Sequence, residues 1–166
     1  TGDYGLARRT ARGLRRSDTP GDLDRYSLFA AAYVFTKYYF PARAVLLLER
    51  ALEAAQQAND WATECICRDC LGIALKQTGL FRHSITHFNT SIALARKTMN
   101  PNGEARCLQN RAVSEMALGD FTQVFETLDE ADALPYASWG FRTFNVYNRA
   151  MSWVWLGDME RAYKLF

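Results

Sequence analysis

The chain has little charge of one sign. Its 166 residues carry 20 basic and 18 acidic side chains, a net charge of +2. That is too small to imply nucleic acid or an anionic membrane as the main partner. It also lacks a long hydrophobic run. The longest, Leu28 to Phe35, has eight residues, whereas a membrane-spanning helix needs about 20. The opening Thr1-Gly2-Asp3-Tyr4 has no charged start followed by an apolar stretch, so no secretory signal is expected. Only four cysteines occur, Cys65, Cys67, Cys70 and Cys107, three of them in one short segment. That is not a disulfide-framework spacing. Reduced thiols and a cytoplasmic location are expected. There is no nucleophile elbow, no phosphate-binding glycine loop and no dinucleotide fingerprint. No enzyme activity and no cofactor are therefore expected. What remains is a globular balance, 49% hydrophobic and 23% charged, which excludes long disorder and collagen-like or mucin-like composition. One domain of this size buries roughly 70% of its unfolded surface and needs no disulfide or metal.

Four of the ten glycines share one turn-like setting. Gly2-Asp3-Tyr4, Gly79-Leu80-Phe81, Gly119-Asp120-Phe121 and Gly157-Asp158-Met159 share one pattern: Gly, any residue, large apolar residue. Three residues on stand Ala7, Ser84, Val124 and Ala162; four further on stand Ala11, Phe88, Leu128 and Phe166. A fifth copy without glycine keeps Tyr39, Pro41, Ala44, Leu48 and Ala51. Aligned at the glycine position, the copies lie 37, 40, 40 and 38 residues apart. Apolar residues before and after each turn recur at three-to-four spacing, as in Leu28, Ala31, Ala32, Phe35 and Ile85, Phe88, Ile92. That period is helical. The unit is helix, tight turn, helix, with glycine supplying positive φ at the helix end. Pro41 suits a helix start. Asn59-Asp60, Asn100-Pro101 and Leu134-Pro135 mark the joins between units.

The series Leu71-Gly72, Leu75, Gly79, Phe81, Ser84, Phe88, Ser91 resembles the tetratricopeptide repeat (TPR). The resemblance covers essentially the whole chain, with units longer than the usual 34 or so residues. Extended units of this kind look like those of bacterial regulatory and signalling proteins and of some eukaryotic scaffold and motor-adaptor proteins. The implied fold is an all-α, right-handed superhelical solenoid of antiparallel helix pairs. One array would fill 1–166, with units near 1–19 (half), 22–58, 60–98, 102–134 and 137–166 (truncated). Neither end reads as a polar cap, so a piece of a longer array or multidomain protein is expected. The core is expected to draw on Phe35, Leu48, Leu71, Leu75, Phe88, Leu118, Leu128, Trp153 and Leu156.

In such solenoids the first helix of each unit lines the concave side. By alignment the groove would present Tyr26, Phe29, Tyr33 and Lys37; then Ile66, Asp69, Cys70, Ile73 and Lys76. Next come Arg106, Gln109, Asn110, Val113 and Met116, and finally Phe144, Tyr147, Asn148, Met151 and Trp155. Asn110 and Asn148 hold equivalent positions, each opening an Asn-Arg-Ala triplet. A carboxamide donates and accepts at once, and in peptide-binding TPR proteins an Asn here brackets a peptide unit. The carboxylate clamp that binds chaperone tails is not matched: Phe29 and Ala30, then Asp69 and Cys70, stand where Lys and Asn are wanted. Arg106 is the one fitting cation. An aromatic and Met-lined groove suits apolar anchors. Arg111 and Arg149 replace a packing leucine of the family. Glu115 lies within pairing reach of Arg111, but stems packed in the interface with head groups in water are the simpler expectation.

Other candidates read as structural. Arg8, Arg9, Arg12, Arg15 and Arg16 give residues 1–16 a local charge of +4, expected on a solvated outer face. Cys65 and Cys67 would point about 200° apart on a helix, so packing thiols are expected and a metal site is not. His83 and His87 lack a third ligand and a His-Glu-x-x-His pattern, and are expected as a surface pair. The expected function is a protein–protein interaction module taking a peptide or protein segment in its groove, within a larger regulatory or signalling protein. Two alternatives stand beside it. One is an assembly module for self-association or docking within the same chain, to which Trp139 and Trp155 point, so homo-oligomers are an alternative. The other is the sensor arm of a transcription regulator or nucleotide cyclase. Membrane contact and direct nucleic-acid contact are not expected.

Overall fold

A computed structural model describes residues 41–134 and 139–165, without the Trp139 side chain. The expectations placed on Arg8 to Arg16, Tyr26, Phe29, Tyr33, Phe35 and Lys37, and on the first half unit, lie outside the described residues. Seven helices follow one another with no strand among the described residues: α1 (Pro41–Gln57), α2 (Trp61–Gln77), α3 (Phe81–Lys97), α4 (Pro101–Ala117), α5 (Phe121–Asp132), α6 (Trp139–Trp155) and α7 (Met159–Tyr163).

One local device ends and starts most of these helices. After α2, the Gly79 N–H donates to Lys76 O (3.0 Å) and the Leu80 N–H to Leu75 O (2.9 Å), with Gly79 at φ +80°. This is the Schellman closure, in which a left-handed residue satisfies the last carbonyls. The same pair of bonds recurs at Asn59-Asp60, Met99-Asn100, Gly119-Asp120 and Gly157-Asp158. Glycine is not obligatory, since Asn59 (φ 52°) and Met99 (φ 50°) take the left-handed position themselves. The residue that closes one helix usually caps the next. Asp60 accepts from Thr63 N, Asn100 from Gly103 N, Asp120 from Gln123 N and Asp158 from Arg161 N. Each satisfies an N–H that the helix leaves without a partner. Helices α1 to α4 have 17 residues each and are joined by three, which gives the 40-residue spacing. The extra length over the common repeat sits in the helices, each about 25 Å long.

Consecutive helices pack on one another, and α2 also touches α4, which touches α6; α3 and α5 do not meet along their backbones. Alternate helices close together on one side and apart on the other make the array curve, with α2, α4 and α6 on the inner side. The core is built from Ala44, Leu48, Leu71, Ala74, Phe88, Leu108, Ala112, Val124 and Leu128, all buried. Small residues bring the helices close. Ser84 donates to the Phe81 carbonyl and meets Ser114 Oγ at 2.8 Å. Ser91 donates to the Cys65 carbonyl (2.8 Å) and accepts from Cys107 Sγ (3.2 Å). All four thiols are free and buried, as packing residues at helix contacts. Two expected core residues are displaced: Leu118 is 40% and Leu156 48% exposed, because both sit in three-residue turns beyond the helix body. Leu75 and Trp153 are half-buried; Trp153 stacks on Phe125 with ring centroids 4.5 Å apart.

Gly72 is pressed against the Phe88 ring so closely that an added Cβ would lie 2.4 Å from it. Gly72→Ala is expected to cost about 1–3 kcal/mol by overpacking, read as a lower urea midpoint at unchanged slope. Burial pushes the Cys67 thiol up to about 12 and those of Cys65, Cys70 and Cys107 upward as well. Ellman's reagent is therefore expected to label no thiol of the native protein and all four after unfolding in guanidinium.

Candidate functional site

Helices α2, α4 and α6 carry the predicted groove residues, and three polar rungs cross between them. Arg106 Nε donates to Asp69 Oδ2 at 2.7 Å. Lys76 Nζ donates to Asn110 Oδ1 at 2.8 Å. Gln109 Nε2 donates to the Phe141 carbonyl (2.7 Å) and to Asn145 Oδ1 (2.8 Å), and Asn145 Nδ2 passes on to Asp132 Oδ1 (2.6 Å). The rungs sort the predicted residues into two groups. Asp69, Gln109 and Asn148 are at most 7% exposed and Cys70 is buried too; these lie within the wall. Asn148 Nδ2 and Asp69 Oδ1 are enclosed without a hydrogen-bond partner. Arg106, Phe144, Tyr147 and Trp155 are exposed, with Lys76, Asn110, Ile66, Ile73, Val113, Met116 and Met151 half-buried among them.

The groove changes character along its length. Between α2 and α4 it is polar. Burial pushes the Asp69 carboxyl above its ordinary range, and Arg106 and Lys76 beside it oppose that shift. Burial pulls the Lys76 ammonium down. On α6 the same face is apolar: Phe144 and Tyr147 lie with ring centroids 6.4 Å apart, and Trp155 is 70% exposed. Phe144, Tyr147, Met151 and Trp155 follow the three-to-four spacing of one helix face.

Behind the groove a second network joins α3, α4 and α5. Arg111 bonds Thr127 Oγ1 (2.8 Å from Nη2), Glu130 Oε2 (3.0 Å) and Asn89 Oδ1 (3.1 Å), and lies 3.2 Å from Glu115 Oε1. Thr127 in turn donates to Glu115 Oε2 at 2.7 Å. Arg96 bridges Glu104 and Glu130, and Arg149 bridges Asp129 (2.6 Å) and Asp132 (2.9 Å). This corrects the expectation of head groups held in water: both guanidinium groups are engaged by carboxylates brought from other helices. Asn145, absent from the predicted residues, is buried and central to the third rung. Its only sequence signal is its place three residues before Asn148.

Chain-wide comparison agrees with this geometry. No protein-family model matches the chain, and no curated protein matches it in sequence. Solved structures do. The TPR-like repeats of a putative kinesin light chain from Podosopora anserina superpose with a TM-score of 0.76 at 16% identity, covering 99% of this chain and 89% of that one. A second structure of those repeats gives 0.74 at 15%, covering 99% and 90%. The TPR domain of Arabidopsis FLU gives 0.63 at 23%, covering 66% and 92%. The fold is a TPR-type helical repeat.

No helix among the described residues is long and apolar enough to cross a membrane. Among the same residues no group of three or more His, Cys, Asp or Glu is placed to hold a metal. The expected surface pair of histidines is half right. His83 is exposed, but His87 is half-buried with Nδ1 enclosed and unpartnered. Burial, then Arg68 and His83, pull the His87 imidazolium below its ordinary pKa of 6.5. A depressed folded-state value stabilises the fold above the unfolded value and loses that contribution as pH falls. Stability is therefore expected to drop below pH 6.5, and His87→Gln to flatten that slope. Urea midpoints between pH 7.5 and 5.5 measure it; an unchanged slope would mean that the imidazole titrates freely in the native protein.

Proposed function

We propose that this chain is a protein–protein interaction module that holds a peptide or protein segment on its concave face, within a larger regulatory or signalling protein. The carrying observation is the unpartnered stripe of Phe144, Tyr147, Met151 and Trp155 beside the polar rungs of α2 and α4. Aromatic side chains that are partly exposed and follow one another along an inner helix face, Phe144 at 43%, Tyr147 at 47% and Trp155 at 70%, offer anchor sites of the kind that dominate binding energy. Asn110 keeps a free amide donor at the groove surface, in keeping with a ligand that presents carbonyl oxygens. Four unpaired thiols suit a reducing, cytoplasmic setting. No catalytic step and no cofactor enter the proposal.

Assembly is the second reading. Val154, Trp155 and Leu156 at the end of α6, with Met159 and Tyr163 on α7, are exposed together. Self-association through that end would cover Trp155 and leave Phe144 and Tyr147 unused.

The two readings separate in one experiment. Tyr147→Ala with Phe144→Ala is compared with wild type by affinity capture from the source lysate, with circular dichroism confirming helical content and sedimentation reporting mass. Partners that come down with wild type and are lost with the double variant are the expected result. Partners retained by the variant, with mass rising with concentration, would give the assembly reading the lead.

A further inference from the structure

The last helix pair is joined to the array by different chemistry from the pairs before it. Between α3 and α4 the joint is apolar: Ile92 shares a buried cluster with Cys107 and Leu108. With Phe81 aligned on Phe121 and Asn110 on Asn148, the equivalent positions one unit along are Asp132 on α5, and Asn145 and Val146 on α6. There Asn145 Nδ2 donates to Asp132 Oδ1 at 2.6 Å, and Val146 is left exposed. The change runs through the whole helix. Buried residues of α2 include Cys65, Cys67, Cys70, Leu71 and Ala74, and those of α4 include Ala105, Cys107, Leu108 and Ala112. On α6 the described buried residues are Asn145, Asn148, Ala150 and Ser152, and Ala150 is the one apolar side chain among them.

Polar links converge on one carboxylate. Asp132 holds Asn145 with Oδ1 and Arg149 with Oδ2 (2.9 Å), and Arg149 also reaches Asp129 (2.6 Å). Asn145 Oδ1 accepts from Gln109 of α4 at 2.8 Å. The stack of Trp153 on Phe125 adds apolar contact, with both rings half-buried. Hydrogen bonds of this kind exchange for water at little net cost. Asp129 and Asp132 are exposed, so salt screens their pairing with Arg149. Asn148 Nδ2, enclosed without a partner, gains a hydrogen bond when water reaches it. Among the described helices α7 packs along its backbone on α6 alone, so it goes where α6 goes.

We propose that α6 and α7 form a latched unit that undocks from α4 and α5 while α1 to α4 stay packed, with Asp132 as the latch. Undocking carries Phe144 and Tyr147 away from α2 and α4, so this joint sets whether the concave face is continuous. The latch works with or without a ligand in the groove. A helix of 17 residues is marginal in water once its tertiary support is gone, so the undocked α6 exchanges its amide hydrogens with solvent.

The test is native-state hydrogen exchange read by mass spectrometry on the whole 166-residue chain, at about 0.05 and 0.5 M NaCl and matched pH. Peptides of α2 and α4 serve as the internal reference. Wild type is compared with two variants. Asp132→Asn can still accept from Asn145 but loses the charge facing Arg149. The double variant Asp132→Ile with Asn145→Cys writes the contact between α3 and α4 into this joint. Circular dichroism and unchanged exchange in α2 and α4 show that the rest of each variant is folded. In wild type, amides in the middle of α6 should exchange about tenfold or more faster than those of α2 and α4, and about threefold faster again at high salt. Asp132→Asn should reach the high-salt rate at low salt and lose most of the salt response. The double variant should also lose most of it, with exchange slowed toward that of α4. Equal rates in α6 and α4 of wild type would mean that the pair opens only with the whole molecule, and would overturn the latch. So would wild-type exchange indifferent to salt, a full salt response in Asp132→Asn, or a double variant that exchanges no more slowly than Asp132→Asn.

Discussion

Five of the six joins in this array reverse a helix within three residues, and the packing depends on them. A turn that short works only if one residue accepts left-handed geometry and the next both closes the finished helix and opens the new one. Gly79, Gly119 and Gly157 supply the first at no steric cost, and Asn59 and Met99 supply it with some strain. Asp60, Asn100, Asp120 and Asp158 supply the second. Leu80 closes α2 without offering a side-chain cap to α3, and there the Ser84 hydroxyl turns back onto the Phe81 carbonyl. Because these three-residue linkers have no slack, the helices they join run antiparallel and side by side. Their contacts must then be made from small residues: Gly72 under Phe88, Ser84 on Ser114, Ser91 between Cys65 and Cys107.

The polar rungs act on shape more than on stability. An ion pair such as Asp69–Arg106, whose carboxylate is buried while its guanidinium is half exposed, gains little net free energy, since desolvation of the carboxylate offsets much of its attraction. What it does is penalise any arrangement that separates its members. Asp69 meets Arg106, Lys76 meets Asn110 and Gln109 meets Asn145, each between inner helices of successive pairs. On the outer side, the backbones of α3 and α5 stand apart and long side chains span them, with Arg96 reaching Glu130 and Arg111 reaching both Asn89 and Glu130. Short polar contacts inside and long ones outside produce a curved array with a concave face.

That concave face is asymmetric. Asp69, Gln109 and Asn145 are drawn into the wall, while Arg106 with the half-buried Lys76 and Asn110 stands at one end of the surface and Phe144, Tyr147 and Trp155 at the other. A ligand held there, as proposed above, would meet different chemistry at its two ends.

The local sequence determined the helices, their turns and the fold class. Three-to-four apolar spacing, Gly before a large apolar residue, and Asn or Asp at the joins are all decided within a few residues, because helix formation and capping are short-range. The same spacing placed the candidate groove residues along one face of each of α2, α4 and α6. It did not tell which of those residues solvent reaches. Asp69, Gln109 and Asn148 sit at groove positions yet are buried, while Leu118 and Leu156 read as core and are exposed. Arg111 and Arg149 stand where leucine is usual, and their partners Glu130, Asp129 and Asp132 lie 17 to 20 residues away on a different helix. Burial and pairing of this kind are set by what the neighbouring unit brings within reach. A polar side chain at an inward position becomes wall or surface according to whether a partner stands opposite, and only the stacked structure decides that.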